Sequence, residues 1–291
     1  MATDTAGSGR VPPALNGVFG FKPSRGLIST VGLVPACRSL DCISLIANSV
    51  ADLRYVFDIV AAPDDQDPWS RARGRTTTDP AAIRVGLPDF ADLEFFGDQP
   101  MASAHAEARR HIADRFATVE VALAPFLQAG ELLYSGPWVA ERLAEFGSFL
   151  ADHPDDVLPV IAAIINGGAR FDAVDVFRAQ YRLAELKAVV SRLFTTMEVL
   201  VLPTIGTTFT VPEVLADPIT TNTRLGHYTH FGNLLDLCAI AVPAGTTNDG
   251  RPASVMVLGP ALSDDTVLAV AQEIAGHQPP VLATRNLIRA D

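Results

Sequence analysis

The sequence predicts an α/β fold, in which helices flank a mixed β-sheet core that is partly parallel. Short apolar runs alternate with segments of helical periodicity, and residues 198–203 form a continuous apolar run rich in β-branched side chains. Such a run is typical of a strand covered on both faces. The hydrophobic share of 48% over 291 residues is enough to build a sizeable core.

The first third of the chain combines turns, one helix and a long loop. Residues 11–29 are dense in Gly and Pro, and we expect tight turns there instead of regular structure. Apolar residues at helical spacing behind Ser49 predict a helix over 49–61 with Ser49 as its N-cap. Residues 62–80 are polar and rich in Pro, and predict an exposed loop.

The remaining elements alternate along the chain. The stretch from 126 to about 194 is mainly helical, with breaks near 136–137, 153–154 and 167–168. A final helix follows Ser263 as N-cap, has acidic residues in its first turn and ends before Gly276. The other predicted elements are strands at 83–88, 117–124, 198–203 and 253–260, a helix at 101–116, and a helix that runs into a strand over 233–245.

Composition excludes several classes of function. The net charge of −11 argues against a nucleic-acid partner, because phosphates would be repelled. The chain has neither a signal peptide pattern nor an apolar run of the roughly 20 residues that a membrane span needs, so we expect a soluble, cytoplasmic protein without membrane contact.

Cysteine and histidine spacing gives no indication of a metal. Cys37, Cys42 and Cys238 are odd in number and lack ligand spacing, so we expect buried free thiols. His227 and His230 stand three residues apart and offer only two ligands. We therefore expect neither a metal nor a cofactor.

The opening loop contains a candidate nucleophile. Ser8 lies between Gly7 and Gly9, so the backbone can adopt conformations barred to other residues and a substrate can come close. Successive N–H groups there could form a nest for developing negative charge beside the serine. A flexible terminal loop with a capping serine is the alternative that the local sequence leaves open.

The surrounding residues resemble the amidase signature family. Its two conserved blocks match TDTAGSGRVP at residues 3–12 and GFKPSRG at residues 20–26. The resemblance implies that Ser8 is the acylated nucleophile and that Asp4 and Arg10 brace the loop. It also implies an oxyanion hole made by the backbone N–H groups of Thr5, Ala6, Gly7 and Ser8.

In that family a lysine, acting through a serine with a cis peptide bond, deprotonates the nucleophile. Neither Lys22 nor Lys187 matches the catalytic lysine, and no cis-serine motif is found. We therefore expect residues 1–291 to be the C-terminal portion of a single amidase domain, with no further C-terminal domain, and to be nearly inactive alone. A separately encoded N-terminal half or a homodimer are the expected macromolecular partners.

Within the family, the segments LLYSGPWVAERLAEF at residues 132–146 and VPACRSLDCISLIA at residues 34–47 resemble allophanate hydrolases, as do residues 199–245. This resemblance implies that Tyr134 and Arg142 hold the carboxylate of a small amide, which is hydrolysed to carbon dioxide and ammonia in urea degradation. His230 departs from the pattern, which has Asn there, and Gly9 replaces the usual Ile or Val.

Three alternatives stay open. The substrate could be another small amide, such as an aryl or biuret-like one. The chain could be a non-catalytic fragment or a split subunit. Arg142 on its own could be a solvated helix arginine paired with Glu141 or Glu145.

Overall fold

An eight-stranded mixed sheet forms the centre of the computed structural model, which describes residues 1–74 and 82–276. The spatial order is β1-β3-β2-β7-β8-β6-β4-β5, and only β5-β4-β6 at one edge pair in parallel. The α/β prediction of a partly parallel sheet is confirmed. The strands are β1 (Ala2–Asp4), β2 (Phe19–Lys22), β3 (Cys42–Ala47), β4 (Arg84–Leu87), β5 (Ala117–Glu120), β6 (Val199–Pro203), β7 (Cys238–Thr246) and β8 (Pro252–Gly259).

Eleven α-helices in the described ranges cover the sheet on both faces, and the long helical stretch breaks where Gly and Pro predict it. No helix among the described residues is both long and apolar enough to cross a bilayer. The helices are α1 (Val11–Leu15), α2 (Val50–Val60), α3 (Gln99–Ala113), α4 (Ala124–Tyr134), α5 (Trp138–Asp152), α6 (Pro159–Asn166), α7 (Ala173–Leu193), α8 (Val211–Ala216), α9 (Pro218–Gly226), α10 (Phe231–Leu234) and α11 (Asp264–Ala275).

Strand β6 shows how the sheet divides the core. All five of its residues are buried, as the apolar run predicts. Val199 and Val201 join a cluster that includes side chains of α2 and α11, while Leu200 and Leu202 join a second cluster that includes side chains of α4 and α7. Alternate side chains of a strand point to opposite faces, so one apolar run contributes to two cores.

The Gly/Pro-rich stretch is not made only of turns, so that prediction is wrong. It contains α1, whose early prolines suit the first turn of a helix, and β2, which is entirely buried between β3 and β7. A Cβ on Gly20 would lie 2.2 Å from the carbonyl oxygen of Gly9. The glycine therefore allows the chain around Ser8 to rest directly on the centre of the sheet.

The end of the described chain needs one correction. Ser263 occupies the N-cap position of α11, but its hydroxyl donates to the carbonyl of Pro260 and does not cap the helix. Gly276 follows the helix with a φ of +74°, as the C-terminal signal predicts. The chain beyond residue 276 lies outside the described residues.

Residues 62–74 of the predicted loop contain no helix or strand, and the rest of that prediction, residues 75–80, lies outside the described residues. Several contacts anchor the described part, and two of them show how. Asp67 is buried and accepts the N–H of Thr30, and Arg71 makes two hydrogen bonds to Asp236. This part of the loop is therefore mostly exposed but held in place.

Candidate active site

A buried carboxylate organises the loop that carries Ser8, residues 4–10, which we term the nucleophile loop. Asp4 accepts hydrogen bonds from the backbone N–H of Gly7 at 2.9 Å and of Gly9 at 3.1 Å. Its oxygens also accept two bonds from the Arg10 guanidinium, at 2.8 and 3.0 Å. Burial alone would raise the pKa of Asp4, but the Arg10 charge and these donors outweigh it and lower the pKa. Asp4 is therefore an ionised brace for the loop.

Asn233, in α10, joins the nucleophile loop to the other end of the chain. Its side-chain amide donates to the carbonyls of Asp4 and Leu40, and its oxygen accepts from Arg10. Arg10 also donates to the carbonyl of Thr229, and both charged partners of the loop are 0% exposed. Sequence reasoning missed Asn233, because a residue more than 220 positions away gives no local signal of this contact.

The two glycines beside Ser8 are required by space. Gly7 has a φ of +133°, and a Cβ there would lie 2.2 Å from Thr229 Oγ1, which donates to the Ala6 carbonyl. A Cβ on Gly9 would lie 2.2 Å from Ser44 Oγ. Ser8 itself is exposed. The loop thus packs tightly on both sides of a serine that faces solvent.

The predicted oxyanion donors differ in their availability. Among the described residues, the N–H groups of Ala6 and Ser8 donate no hydrogen bond, so both can be offered to a ligand. The N–H of Gly7 is already donated to Asp4. Gly7 could contribute to an oxyanion hole only by sharing this N–H.

A cleft of about 1140 Å³ opens beside Ser8. Ser8, Tyr134 and Arg142 all line it, so the fold brings together three residues that are far apart in the sequence. Apolar side chains from α5, α6 and α9 form much of the wall, among them Phe146 and Ile164. An ion pair formed inside such a wall is stronger than the same pair in bulk water.

Arg142 makes no hydrogen bond within the described part of the chain. Its guanidinium carbon lies 4.6 Å from the centroid of the Tyr134 ring, and its Nε is buried with no partner among residues 1–74 and 82–276. The expected alternative pairings do not occur, since Glu141 accepts from Ser39 and Glu145 is bonded to Arg38. Arg142 is thus a cation at the cleft, and the two acidic residues beside it on α5 bind other partners.

His230 is a cleft residue that the sequence singled out only as half of an incomplete metal-ligand pair and as a departure from a family pattern. Its ring meets the Tyr134 ring edge-on, with centroids 5.0 Å apart. Burial, with the positive charge of Arg10 next in importance, lowers its pKa to about 4. The imidazole is therefore neutral at pH 7. His227 points elsewhere, with its ring against Phe96 and Tyr228.

Neither lysine lines the cleft. Lys22 is fully buried and donates to the carbonyl of Pro23 and to Cys42 Sγ, while Lys187 is exposed on α7. The three cysteines are free and buried, as expected.

Comparison with known proteins identifies the class. A sequence model described as Amidase matches residues 1–268. The chain is 36% identical over 275 residues to the urea amidolyase of Saccharomyces cerevisiae, a match over 93% of this chain and 15% of that protein. A structure of Kluyveromyces lactis allophanate hydrolase superposes with a TM-score of 0.90 at 34% identity, over 94% of this chain and 45% of that one. The K. lactis urea amidolyase gives 0.90 at 35% identity, over 94% and 17%.

These matches define a hydrolase class that acts on the C–N bonds of amides. Within that class, the chain belongs to the amidase family. It spans less than half the length of each of these three relatives.

Proposed function

We propose that this chain carries the nucleophile and the anion-binding residues of an amide hydrolase whose substrate is allophanate. Ser8 Oγ attacks the terminal amide carbonyl, and ammonia leaves as an acyl intermediate forms on the serine. Free N–H groups of the nucleophile loop stabilise the oxyanion. Water then cleaves the ester to Ser8 and releases N-carboxycarbamate, which takes up protons and loses both carboxyl groups as carbon dioxide, leaving the second ammonia. Overall, one allophanate, one water and one proton give two molecules each of carbon dioxide and ammonia.

The observation that carries this proposal is that Arg142, in the same cleft as Ser8, has no hydrogen-bond or ion-pair partner in the part of the chain that the structure describes. A partly buried arginine with no carboxylate partner among the described residues is a strong site for an anionic ligand. Tyr134, stacked against the guanidinium, limits its freedom to rotate. The similarity to urea amidolyases and to allophanate hydrolase supports a small carboxylated amide as the ligand.

The test compares Arg142→Ala with a matched control, Arg170→Ala. Arg170 also lines the cleft, but it is exposed and rests against Phe171. We expect Arg142→Ala to weaken the interaction with allophanate by about 2–5 kcal/mol, because a charged group in a partly buried site loses its partner. The same variant should barely affect biuret, which has the same length but carries no carboxylate. The measurement is ammonia release from each substrate by the chain co-expressed with a segment that carries the serine and lysine motifs of the family.

The same experiment tests the alternative hypothesis that the substrate is a neutral amide. If Arg142→Ala lowers ammonia release from allophanate and from biuret by the same factor, Arg142 does not bind a carboxylate. The substrate is then a neutral amide. Equilibrium binding of malonate, a small dicarboxylate, and of malonamide, the neutral diamide of the same length, extends the comparison of charged and neutral ligands to protein that does not turn over.

A non-catalytic fragment or split subunit is the second candidate function. It is favoured by the absence of lysine from the cleft within the described residues, because Ser8 needs a base to lose its proton. We propose that the 291 residues alone release little ammonia. Co-expression with a segment that carries the serine and lysine motifs of the family should then give Ser8-dependent release. Full activity of the chain alone would contradict this.

A further inference from the structure

A short loop connects the two halves of the candidate site. Residues 36–41, which we term the bridging loop, lie between the nucleophile loop and α5, and Ala36 at their start lines the cleft. A carboxylate holds the loop at each side. These are Asp41, at its own end, and Glu141, the residue that precedes Arg142 in α5.

Asp41 ties the bridging loop to the nucleophile loop. It is 3% exposed, and one of its oxygens accepts the hydroxyl of Thr5 at 2.5 Å. The other oxygen accepts the backbone N–H groups of Ala36 at 2.8 Å and of Cys37 at 3.0 Å. The Asp41 carboxylate thus joins the two ends of the bridging loop, and it also attaches this loop to Thr5, three residues before Ser8.

Glu141 ties the opposite side of the bridging loop to α5. One oxygen accepts the backbone N–H of Ser39 at 2.7 Å, and the other accepts the Ser39 hydroxyl at 2.6 Å and the thiol of Cys37 at 3.1 Å. Burial and then the nearby Glu141 raise the pKa of Cys37, so the thiol keeps the proton that it donates. Three donors therefore fix this single side chain.

We propose that Glu141 is a positioning residue that holds Arg142 at a set distance from Ser8 through the bridging loop. The inference rests on the proposed function, since it concerns where the anion is bound relative to the nucleophile. A helix backbone is stiff, so anchoring one residue fixes the start of its neighbour's side chain. Misplacing a reacting group by about 1 Å is enough to cost a large factor in rate.

A second contact between the same loop and helix serves as an internal comparison. Arg38 forms a two-bond pair with Glu145, one turn further along α5, but the arginine side chain is 64% exposed. Exposed pairs contribute little, because water screens them and both side chains lose freedom. If Glu141 is the residue that connects the bridging loop to α5, loss of the exposed Arg38–Glu145 pair should not change ligand binding.

The experiment measures malonate and malonamide affinity by calorimetry for Glu141→Gln, Ser39→Ala, Ser39→Thr and the control Arg38→Lys. We expect Glu141→Gln and Ser39→Ala each to weaken malonate binding about tenfold while malonamide binding stays the same. Ser39→Thr keeps the hydroxyl and should restore affinity. The double variant of Glu141 and Ser39 should lose less than the sum of the two single losses, because both changes remove the same contact.

The outcomes separate the two proposals. If Arg142→Ala leaves malonate binding unchanged, the proposed anion site is wrong. If Arg142→Ala weakens it but Glu141→Gln and Ser39→Ala do not, Arg142 binds the anion without help and the positioning role is overturned. Equal losses for malonate and malonamide, or a lower melting temperature with unchanged affinities, would show that Glu141 acts only in folding and would also overturn it.

Discussion

The buried pair of Asp4 and Arg10 gives the sharpest test of how the nucleophile loop is built. Replacing Arg10 with Met keeps an unbranched side chain of similar length and places it beside Met256, which the guanidinium already contacts. The change removes every charged donor to Asp4 and leaves that carboxylate at 0% exposure. A buried carboxylate without its partner must either stay charged in an apolar site or take up a proton.

The expected cost follows from burial. Breaking one partner out of a buried ion pair lowers the free energy of unfolding by about 3–5 kcal/mol, a large part of the 5–15 kcal/mol of an ordinary domain. Urea unfolding followed by the fluorescence of Trp69 and Trp138 measures it. Arg182→Met is the control, because Arg182 and Glu185 form an exposed pair and no measurable change is expected.

The double variant Asp4→Asn with Arg10→Met completes this prediction. It removes both members of the buried pair, so no carboxylate is left at position 4 without its arginine, and we expect it to be more stable than Arg10→Met alone, although the loop loses hydrogen bonds. Two results would refute the reasoning. One is an Arg10→Met variant as stable as Arg182→Met, and the other is a double variant that loses the full sum of both single changes.

Two further predictions concern backbone and pH. Gly7→Ala should destabilise the chain more than Gly32→Ala. Both glycines have positive φ, but of the two only Gly7 has a neighbour, Thr229, at the position that a Cβ would occupy. Equal melting temperatures of the two variants would contradict this. Burial lowers the pKa of His105 to about 3 and of His230 to about 4. The unfolded chain therefore binds more protons than the folded chain below pH 6.5. The free energy of unfolding should fall by about 2 kcal/mol per histidine from pH 7 to pH 5. Urea titrations at the two pH values should show that His105→Gln or His230→Asn removes its share of this loss.

Signals within a short stretch of sequence were sufficient to predict some of the helices and strands. The N-cap of α2 is an example, since the Ser49 hydroxyl accepts the N–H of Asp52 as the sequence pattern predicts. Strand β6 is another, because a continuous apolar run needs no partner to be recognised. In both cases the physical signal lies within a few neighbouring residues.

Strand β2 could not be recognised in this way. Its four residues include Gly20, which is there for close packing against Gly9, and Lys22, which is buried although charged. Glycine and lysine are both uncommon in strands, so the local sequence argues against a strand here. Their roles become visible only from contacts in the folded chain. The same holds in the site. Motifs pointed to Tyr134 and Arg142, but the roles of Asn233 and Glu141 depend on contacts that only the folded chain makes.

The pairing of β2 with β7 has a consequence for synthesis on the ribosome. Gly20 pairs with Ala241, and the nucleophile loop relies on Asn233, so each of these segments depends on a partner that is made more than 200 residues later. At roughly 5–20 residues per second, translation takes on the order of ten seconds or more to supply that partner. During this interval β2 has only β3 beside it, and the nucleophile loop lacks the contacts of Asn233.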